Sequence, residues 1–477
     1  MPTPVAFFDL DRTLLRGASG PAISRALRAV GLLPDRSIPG ESLLFGLFDL
    51  VGENRPAMMA ARQMARAASG WSVEAVARAG EMAADELEPL VQPYARILID
   101  GHRAEGTRVV VATTTPHPLV APLAARLGLD AVVATRWASS DGHFTGEIDG
   151  PFVWNDGKLE AVRTWAEAND ADLAASHAYS DSWYDVPLLG AVGHPVAVNP
   201  DPRLALYAVV RRWPVTWLDV PPGVPKLAGL EPQKLLFPFV RPELLPFVRL
   251  SVHGTEHIPT TGPVILAANH RSYFDPVAVG MAVARVGRPA RFLGKKEVFD
   301  APVIGDIARA VGGIRVERGS GSDAPLEEAA AALNAGEMVV VMPQGTIPRG
   351  RAFFDPELQG RWGTARLAAM TGAPVVPIGL WGTEKVWPRS SRLPNLLNIV
   401  DPPPVSVTVG PAVELDGVDP DADTQRIMAA IVTLLPAEAR RHREPTAEEL
   451  ALATPSGHTT DPDGDTEHES HRRPGTD

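Results

Sequence analysis

Cysteine is absent from all 477 residues. Its absence excludes a disulfide framework, a thiolate metal centre and a cysteine nucleophile, and it fits a reducing compartment. Lysine is scarce as well: six of the 45 basic residues, with Lys158 alone before position 226. Against that arginine bias, a retained lysine points to a need for a compact ammonium. No uninterrupted apolar run approaches the roughly 20 residues that cross a bilayer. No basic segment leads into an apolar stretch at the N-terminus, so no signal peptide is expected. These absences describe a cytoplasmic chain, soluble or lying on the cytoplasmic membrane surface. Positive charge is not in excess either. Of the net −12, residues 444–477 carry −7 through nine acids and two arginines. The rest of the chain gives no global reason to bind nucleic acid, and residues 441–477, poor in anything to bury, read as a disordered acidic tail.

What is present is a sizeable core. Hydrophobic residues make up 45% of a chain too long for one ordinary domain. Residues 5–8 read as a strand, and Ile23, Leu27 and Val30 keep helical spacing before Gly31. Helical patterning continues to about residue 91. "RVVVATTT" (108–115) is a strand, Asp141-Gly142 marks a hairpin, residues 157–168 a helix, and "SHAYSDS" a strand ending in polar residues. Alternating strands and helices imply a largely parallel sheet, with the helical segment of about 16–95 as a cap over its carboxyl edge. Residues 214–250, dense in Pro, Leu, Phe and Trp, read as a connector with one or two short amphipathic helices, suited to interdomain packing or membrane contact. A second alternation begins near 251 and runs to about 440. The fold class is therefore α/β: two tandem domains, 1–213 and 251–440.

Asp9 and Asp11 end the first strand, where α/β sheets bind ligands. Alone they would serve as helix caps. Thr113 and Thr115 end the next apolar strand, Lys158 opens a helix, and Asp181 ends another strand with Asp185 four residues on. Four carboxylates at one rim repel unless a cation is bound, and oxygen-only ligands favour Mg²⁺. A magnesium ion, a lysine and a hydroxyl suit a phosphoryl group in transfer. The order D-x-D-x-T, Thr, Lys, D-S-x-x-D resembles the haloacid dehalogenase-like phosphohydrolases, in the capped branch of the phosphoserine phosphatase-like enzymes. The resemblance implies a Rossmann-like domain with Asp9 as nucleophile, Asp11 as general acid/base, and Thr113 and Lys158 on the phosphoryl oxygens. Asp9, Asp11, Asp181 and Asp185 would hold the metal. Arg12 stands where many relatives have a small residue; it is expected to face solvent, the alternative being substrate contact.

In the second half "ILAANHRSYFDP" sets His270 and Asp275 five residues apart after a buried strand. A histidine oriented by a carboxylate can deprotonate an alcohol, although Asp275 before Pro276 is also an ordinary helix cap. Arg318 ends the strand "GGIRVER", and "VMPQGTIPRG" offers Gly345, Thr346 and Arg349 to an anion. This arrangement resembles the glycerolipid acyltransferases, notably the 1-acyl-sn-glycerol-3-phosphate acyltransferases. N-H-x4-D matches at Asn269, His270 and Asp275; the G-x-I-x-x-x-R type run at Gly312, Gly313, Ile314 and Arg318; the apolar strand with proline at Pro377. Lys295 and Lys296 also fit. The family's Pro-Glu-Gly-Thr-Arg is Pro343-Gln344-Gly345-Thr346-Ile347 here, so an amide replaces a carboxylate and the phosphate-facing arginine is missing, with Arg349 two residues on. The resemblance implies acyl transfer from acyl-CoA or acyl-carrier protein to a lysophospholipid at a membrane surface. The alternative is a phosphatase docked to membranes by a lipid-binding, acyltransferase-like module.

Overall fold

The computed structural model describes residues 3–34, 55–227, 229–316, 324–391 and 393–455. They fall into two α/β units that divide between Pro222 and Gly223. The first contains β1 (Val5–Phe8), β2 (Arg108–Pro116), β3 (Ala131–Ser140), β4 (His143–Asp149), β5 (His177–Ser180), β6 (His194–Val198) and β7 (Val215–Thr216). They lie in the order β4-β3-β2-β1-β5-β6-β7. Every pairing is parallel except the β3–β4 hairpin. All of β1 is buried, because a central parallel strand is covered on both faces and tolerates no polar interruption. Val5 and Phe7 pack with Val162, Leu204 and Ala208 from the covering helices; Phe8, facing the other way, stacks on Tyr179 of β5 at 4.4 Å. Asp141 and Gly142 both take positive φ between Ser140 and His143, the two-residue turn whose twist suits a hairpin.

The insert between β1 and β2 holds helices Gly20–Ala29, Arg55–Ala67 and Val73–Leu87. Helix Val73–Leu87 crosses helix His117–Arg126 at Gly80, where a Cβ would stand 2.3 Å from the Pro118 carbonyl oxygen. Only glycine permits that approach.

The second unit contains β8 (Arg249–His253), β9 (Val264–Ala268), β10 (Ala290–Lys295), β11 (Ile314–Val316), β12 (Met338–Val341), β13 (Val375–Trp381) and β14 (Pro404–Val409), in the order β11-β10-β12-β9-β13-β14-β8. Only β13–β14 is antiparallel. Along β9 successive residues enter opposite cores. Val264, Leu266 and Ala268 meet helix Asp275–Val286; Ile265 and Ala267 meet helices Ala324–Asn334, Gly363–Thr371 and Pro420–Leu434.

The segment read as a connector is shared between the units. Val215–Thr216 is the edge strand of the first sheet. From Glu231 the chain is clamped to the second: buried Arg291 pairs with Glu231 at 2.8 Å and with Glu337. Gln233 exchanges two hydrogen bonds with the Ala290 backbone. One short α-helix, Pro232–Leu236, forms there, followed by single 3₁₀ turns at Phe237–Phe239 and Pro242–Leu244. No helix among the described residues is long and apolar enough to cross a membrane. Part of the tail departs from expectation; residues 456–477 lie outside the described residues. Residues 441–455 are ordered, with helix Ala447–Ala453 started by a capping box between Thr446 and Glu449. Arg443 grips Glu449 as well and holds its carboxyl down at about 2.

A row of imidazoles lies along the first sheet. His102 Nε2 is 2.8 Å from the Tyr179 hydroxyl, its ring 4.9 Å from His177, which stacks at 4.6 Å on His194. Burial holds His102 and His177 below the ordinary imidazole range; the charges of His102 and His194 add to this for His177, and Glu105 opposes it for both. Imidazoles kept neutral when folded take up protons first in the unfolded chain. Their contribution to stability is therefore present above about pH 6.5 and is lost as pH falls below it toward the folded-state values. The melting temperature of the first unit should fall on going from pH 7 to pH 5.5, and less steeply in His102→Gln. Equal slopes in differential scanning calorimetry would contradict this.

Candidate active sites

In the first unit the carboxyl ends of β2, β1 and β5 lie side by side, and their polar residues gather there. Asp9 follows β1 and its N–H donates to the Tyr179 carbonyl. Lys158, in the first turn of helix Asp156–Ala168, is fully buried. Its Nζ lies 2.7 Å from Asp9 Oδ1 and 2.6 Å from Asp185 Oδ2. Gly157 lets this helix start close: a Cβ there would be 2.2 Å from the Phe152 carbonyl oxygen. Asp185 Oδ2 also accepts the Ser180 hydroxyl at 2.6 Å. A buried ammonium between two buried carboxylates offsets desolvation that neither charge could bear alone.

The loop after β1 is tied across to β5. Thr13 donates its hydroxyl to Asp181 Oδ1 and accepts the Asp181 N–H at 3.0 Å. Arg12, expected to face solvent, is instead turned inward, with Nε 3.2 Å from Asp181 Oδ2. Its backbone takes φ +59 and its carbonyl accepts from Asn199; the turn aims the guanidinium at the nearest buried carboxylate. Asp11 Oδ1 accepts the Ser19 N–H at 2.6 Å, fastening the start of the insert to the site. Thr113 is buried at the end of β2, accepting from Thr115 N–H, and the Thr115 hydroxyl lies 3.3 Å from Ser19 Oγ. Thr13 is visible in the sequence as the threonine of D-x-D-x-T, but its role is not, because its bond to Asp181 depends on a contact 168 residues away.

The residue types suit a hard divalent cation: the donors are all oxygen, and Asp185 Oδ1 is buried without a hydrogen-bond partner. The expected quartet of Asp9, Asp11, Asp181 and Asp185 nevertheless does not form a preassembled cage. Among the described residues no group of three or more acids or histidines is spaced to hold an ion. Lys158 and Arg12 supply the positive charge in this arrangement.

In the second unit His270 follows β9, and the adjacent loops after β12 and β13 complete the edge. His270 Nδ1 lies 2.7 Å from Asp275 Oδ2. The same oxygen accepts the N–H groups of Arg271 and Ser272 at 2.6 and 2.8 Å. Asp275 thus builds the loop and orients the imidazole, leaving Nε2 as the basic nitrogen. Asn269 extends the β9–β13 pairing, exchanging hydrogen bonds with Leu380. Arg271 is held by both Glu384 oxygens at 3.0 Å, between the rings of Phe353 and Trp381.

Gln344 Oε1 accepts the His270 N–H at 2.7 Å. The amide therefore supplies the one acceptor atom this donor requires. Gly345 takes φ +70 and Thr346 is half-buried beside it. Ile347, in place of the family's arginine, is buried against Phe353 and Ala453. Apolar contact replaces charge, and Ala453 joins helix Ala447–Ala453 to it. Arg349 is half-buried ahead of the turn Gly350–Phe354. Lys295 and Lys296 stand where β10 gives way to helix Lys296–Asp300. Pro377 pairs with Ala267 inside β13. Arg318 lies outside the described residues.

Comparison with known proteins places these two halves. The family model for haloacid dehalogenase-like hydrolases matches residues 6–190. An inhibition of morphological differentiation protein from Streptomyces azureus is 36% identical over 218 residues, 45% of this chain and 78% of that one. The phosphoserine phosphatase SerB1 of Mycobacterium tuberculosis is 38% identical over 216 residues, 45% of this chain and 70% of that one. The chain belongs to the haloacid dehalogenase-like hydrolases. The acyltransferase family model matches residues 249–381, so this hydrolase carries an acyltransferase domain in the same chain. A solved 1-acyl-sn-glycerophosphate acyltransferase, PlsC from Thermotoga maritima, is 23% identical with a TM-score of 0.32, covering 42% of this chain and 76% of that one. By the two family matches, this haloacid dehalogenase-like hydrolase is an enzyme with a phosphatase domain and an acyltransferase domain, each a mixed, mostly parallel α/β unit.

Replacing Lys158 by Met removes the ammonium from between the buried carboxylates of Asp9 and Asp185. Urea unfolding of the first unit should show a loss of about 3–5 kcal/mol, the cost of breaking a buried ion pair; a loss under about 1 kcal/mol would show the lysine to be dispensable. Gln344→Leu leaves the His270 N–H without its acceptor and should cost the second unit about 1–3 kcal/mol, whereas Gln344→Glu, which keeps an oxygen there, should lose less.

Proposed function

We propose that the acyltransferase domain moves an acyl chain from acyl-CoA or acyl-carrier protein to 1-acyl-sn-glycerol 3-phosphate, giving phosphatidic acid. The observation that carries this is the His270–Asp275 dyad, 2.7 Å apart. Nδ1–H is held by the carboxylate, so Nε2 takes the proton of the acceptor hydroxyl as its oxygen attacks the thioester carbonyl. Collapse of the tetrahedral adduct expels the thiolate, which recovers the proton from the imidazolium. Gly345, Thr346, Arg349 and Arg318 are the candidates for the acceptor's phosphate. Such substrates are amphiphiles, and the reading sets the enzyme in the cytoplasm, on the cytoplasmic membrane.

The hydrolase domain, in the same reading, cleaves phosphomonoesters through an aspartyl-phosphate on Asp9. Asp11 protonates the leaving alcohol and then deprotonates the attacking water, while Lys158 and Thr113 hold the phosphoryl oxygens. Asp9, Asp11, Asp181 and Asp185 are the residues that would hold Mg²⁺, which would neutralise part of the phosphoryl charge. The burial of Ile347 where an arginine is usual favours a second reading, in which the acyltransferase-like half only binds lipid and docks a phosphatase to membranes.

The two sites have separate chemistry, so their losses should be separable. Asp9→Asn should lower Mg²⁺-dependent hydrolysis of p-nitrophenyl phosphate by about a thousandfold or more and leave acyl transfer intact. His270→Ala should do the reverse to the transfer of oleate from oleoyl-CoA to lysophosphatidic acid. Acyl transfer undiminished in His270→Ala would remove the dyad from the mechanism. A wild-type protein silent with every acyl donor and lysophospholipid would leave the docking reading.

A further inference from the structure

In the second unit the chain between helix Thr383–Val386 and β14 carries "LPNLLNIV", residues 393–400, without a charged side chain. Leu393, Leu396, Leu397, Ile399 and Val400 are each between 51% and 95% exposed. Scattered apolar residues on a surface are ordinary, but five within eight positions of one loop mark an interaction site. The loop is nonetheless braced. Asn395 N–H donates to the Val386 carbonyl at 2.9 Å, and Ser391 Oγ donates to the Leu393 carbonyl at 2.7 Å. The chain thus holds these side chains outward while its own backbone is bonded.

The loop adjoins the histidine site through Trp387. The Trp387 carbonyl accepts the Ser272 hydroxyl at 2.6 Å, and its ring lies 5.6 Å from that of Tyr273, itself 47% exposed. The far end is tied to the start of β8, where Arg249 N–H donates to the Pro403 carbonyl. The residues leading into β8 include the exposed Phe239 and Leu244. Exposed Arg241 and Lys385 flank these apolar stretches, as does Arg249, which pairs at 3.5 Å with Asp401 next to the loop. An uncharged apolar loop with an aromatic at its base and basic residues around it matches the layering of an anionic bilayer: hydrocarbon within, headgroups outside.

We propose that residues 393–400 insert into the acyl layer of an anionic phospholipid membrane and hold the His270 loop at the headgroup level. The inference rests on the lysophospholipid reading for its choice of occupant, but its test does not read acyl transfer. The absence of cysteine makes a clean probe available: Leu397→Cys in the full chain, labelled with an environment-sensitive fluorophore. Vesicles of phosphatidylethanolamine and phosphatidylglycerol should shift its emission to the blue, and more weakly so with phosphatidylcholine alone. In co-sedimentation, the doubly substituted Leu397→Asp, Val400→Asp chain should lose about tenfold or more in partitioning to the same vesicles, with an unchanged melting temperature because both positions are exposed. Phe239→Ser serves as the comparison for a connector-based anchor. Undiminished partitioning of the double variant, or a silent label on vesicles that do bind the protein, overturns the proposal. So does a wild-type chain that binds no vesicle, or a blue shift that depends on protein concentration without lipid, which assigns the loop to a second copy. Vesicle binding that depends on 397 and 400 in a protein inactive with every acyl donor would sink the acyl-transfer reading and leave this one standing.

Discussion

A parallel sheet covered on both faces has only its two edges left for charge, and any charge brought to the carboxyl edge must be compensated where it stands. That constraint organises both units. In the first, a fully apolar β1 delivers Asp9 directly into a buried rim, where the carboxylate is tenable because Lys158 reaches it at 2.7 Å and is itself shared with Asp185. Water would weaken the attraction several-fold; in a dry rim it is strong enough to offset desolvation. Thr13 and Arg12 then take the two oxygens of Asp181, and Ser180 adds its hydroxyl to the Asp185 oxygen that Lys158 already holds. In the second unit the same edge holds a dyad instead of an ion-pair relay. Asp275 accepts two backbone N–H groups and the imidazole on one oxygen, so loop shape and histidine orientation have a single cause.

What could be read from the sequence was whatever is local to a strand end. "VAFFDLD" and "ILAANH" state both the strand and the residue it presents, because burial on both faces writes an apolar run and the edge writes the polar residue that ends it. The Asp141-Gly142 turn was legible for a similar reason, since two successive positive φ values restrict composition within a few residues. Partners were not legible. Thr13 meets Asp181 across 168 residues and Glu231 meets Arg291 across the connector; no spacing encodes either, and the topology that makes them neighbours is decided by the core. Arg12 illustrates the gap. An arginine in an acidic loop reads as solvated, and only the approach of β5 shows that a buried carboxylate stands within its reach.

The two departures from the acyltransferase third motif look equivalent in a string of letters and differ in physics. At Gln344 the site needs an acceptor for one N–H, and an amide oxygen meets that need as a carboxylate would, at the loss of a charge. At Ile347 a charged, anion-facing residue has become part of a small apolar cluster with Phe353 and Ala453. That exchange would expose an isoleucine to water unless something covered it, and what covers it is a helix from a segment whose composition argued for disorder. A segment low in hydrophobicity can still order when its few apolar residues meet a ready surface and its ends are capped, as Thr446, Glu449 and Arg443 cap and brace this one. The tail helix therefore packs on the isoleucine that stands where an arginine is usual, and what this loop can still offer an anion is the backbone of Gly345 and Thr346 and the cations that remain nearby.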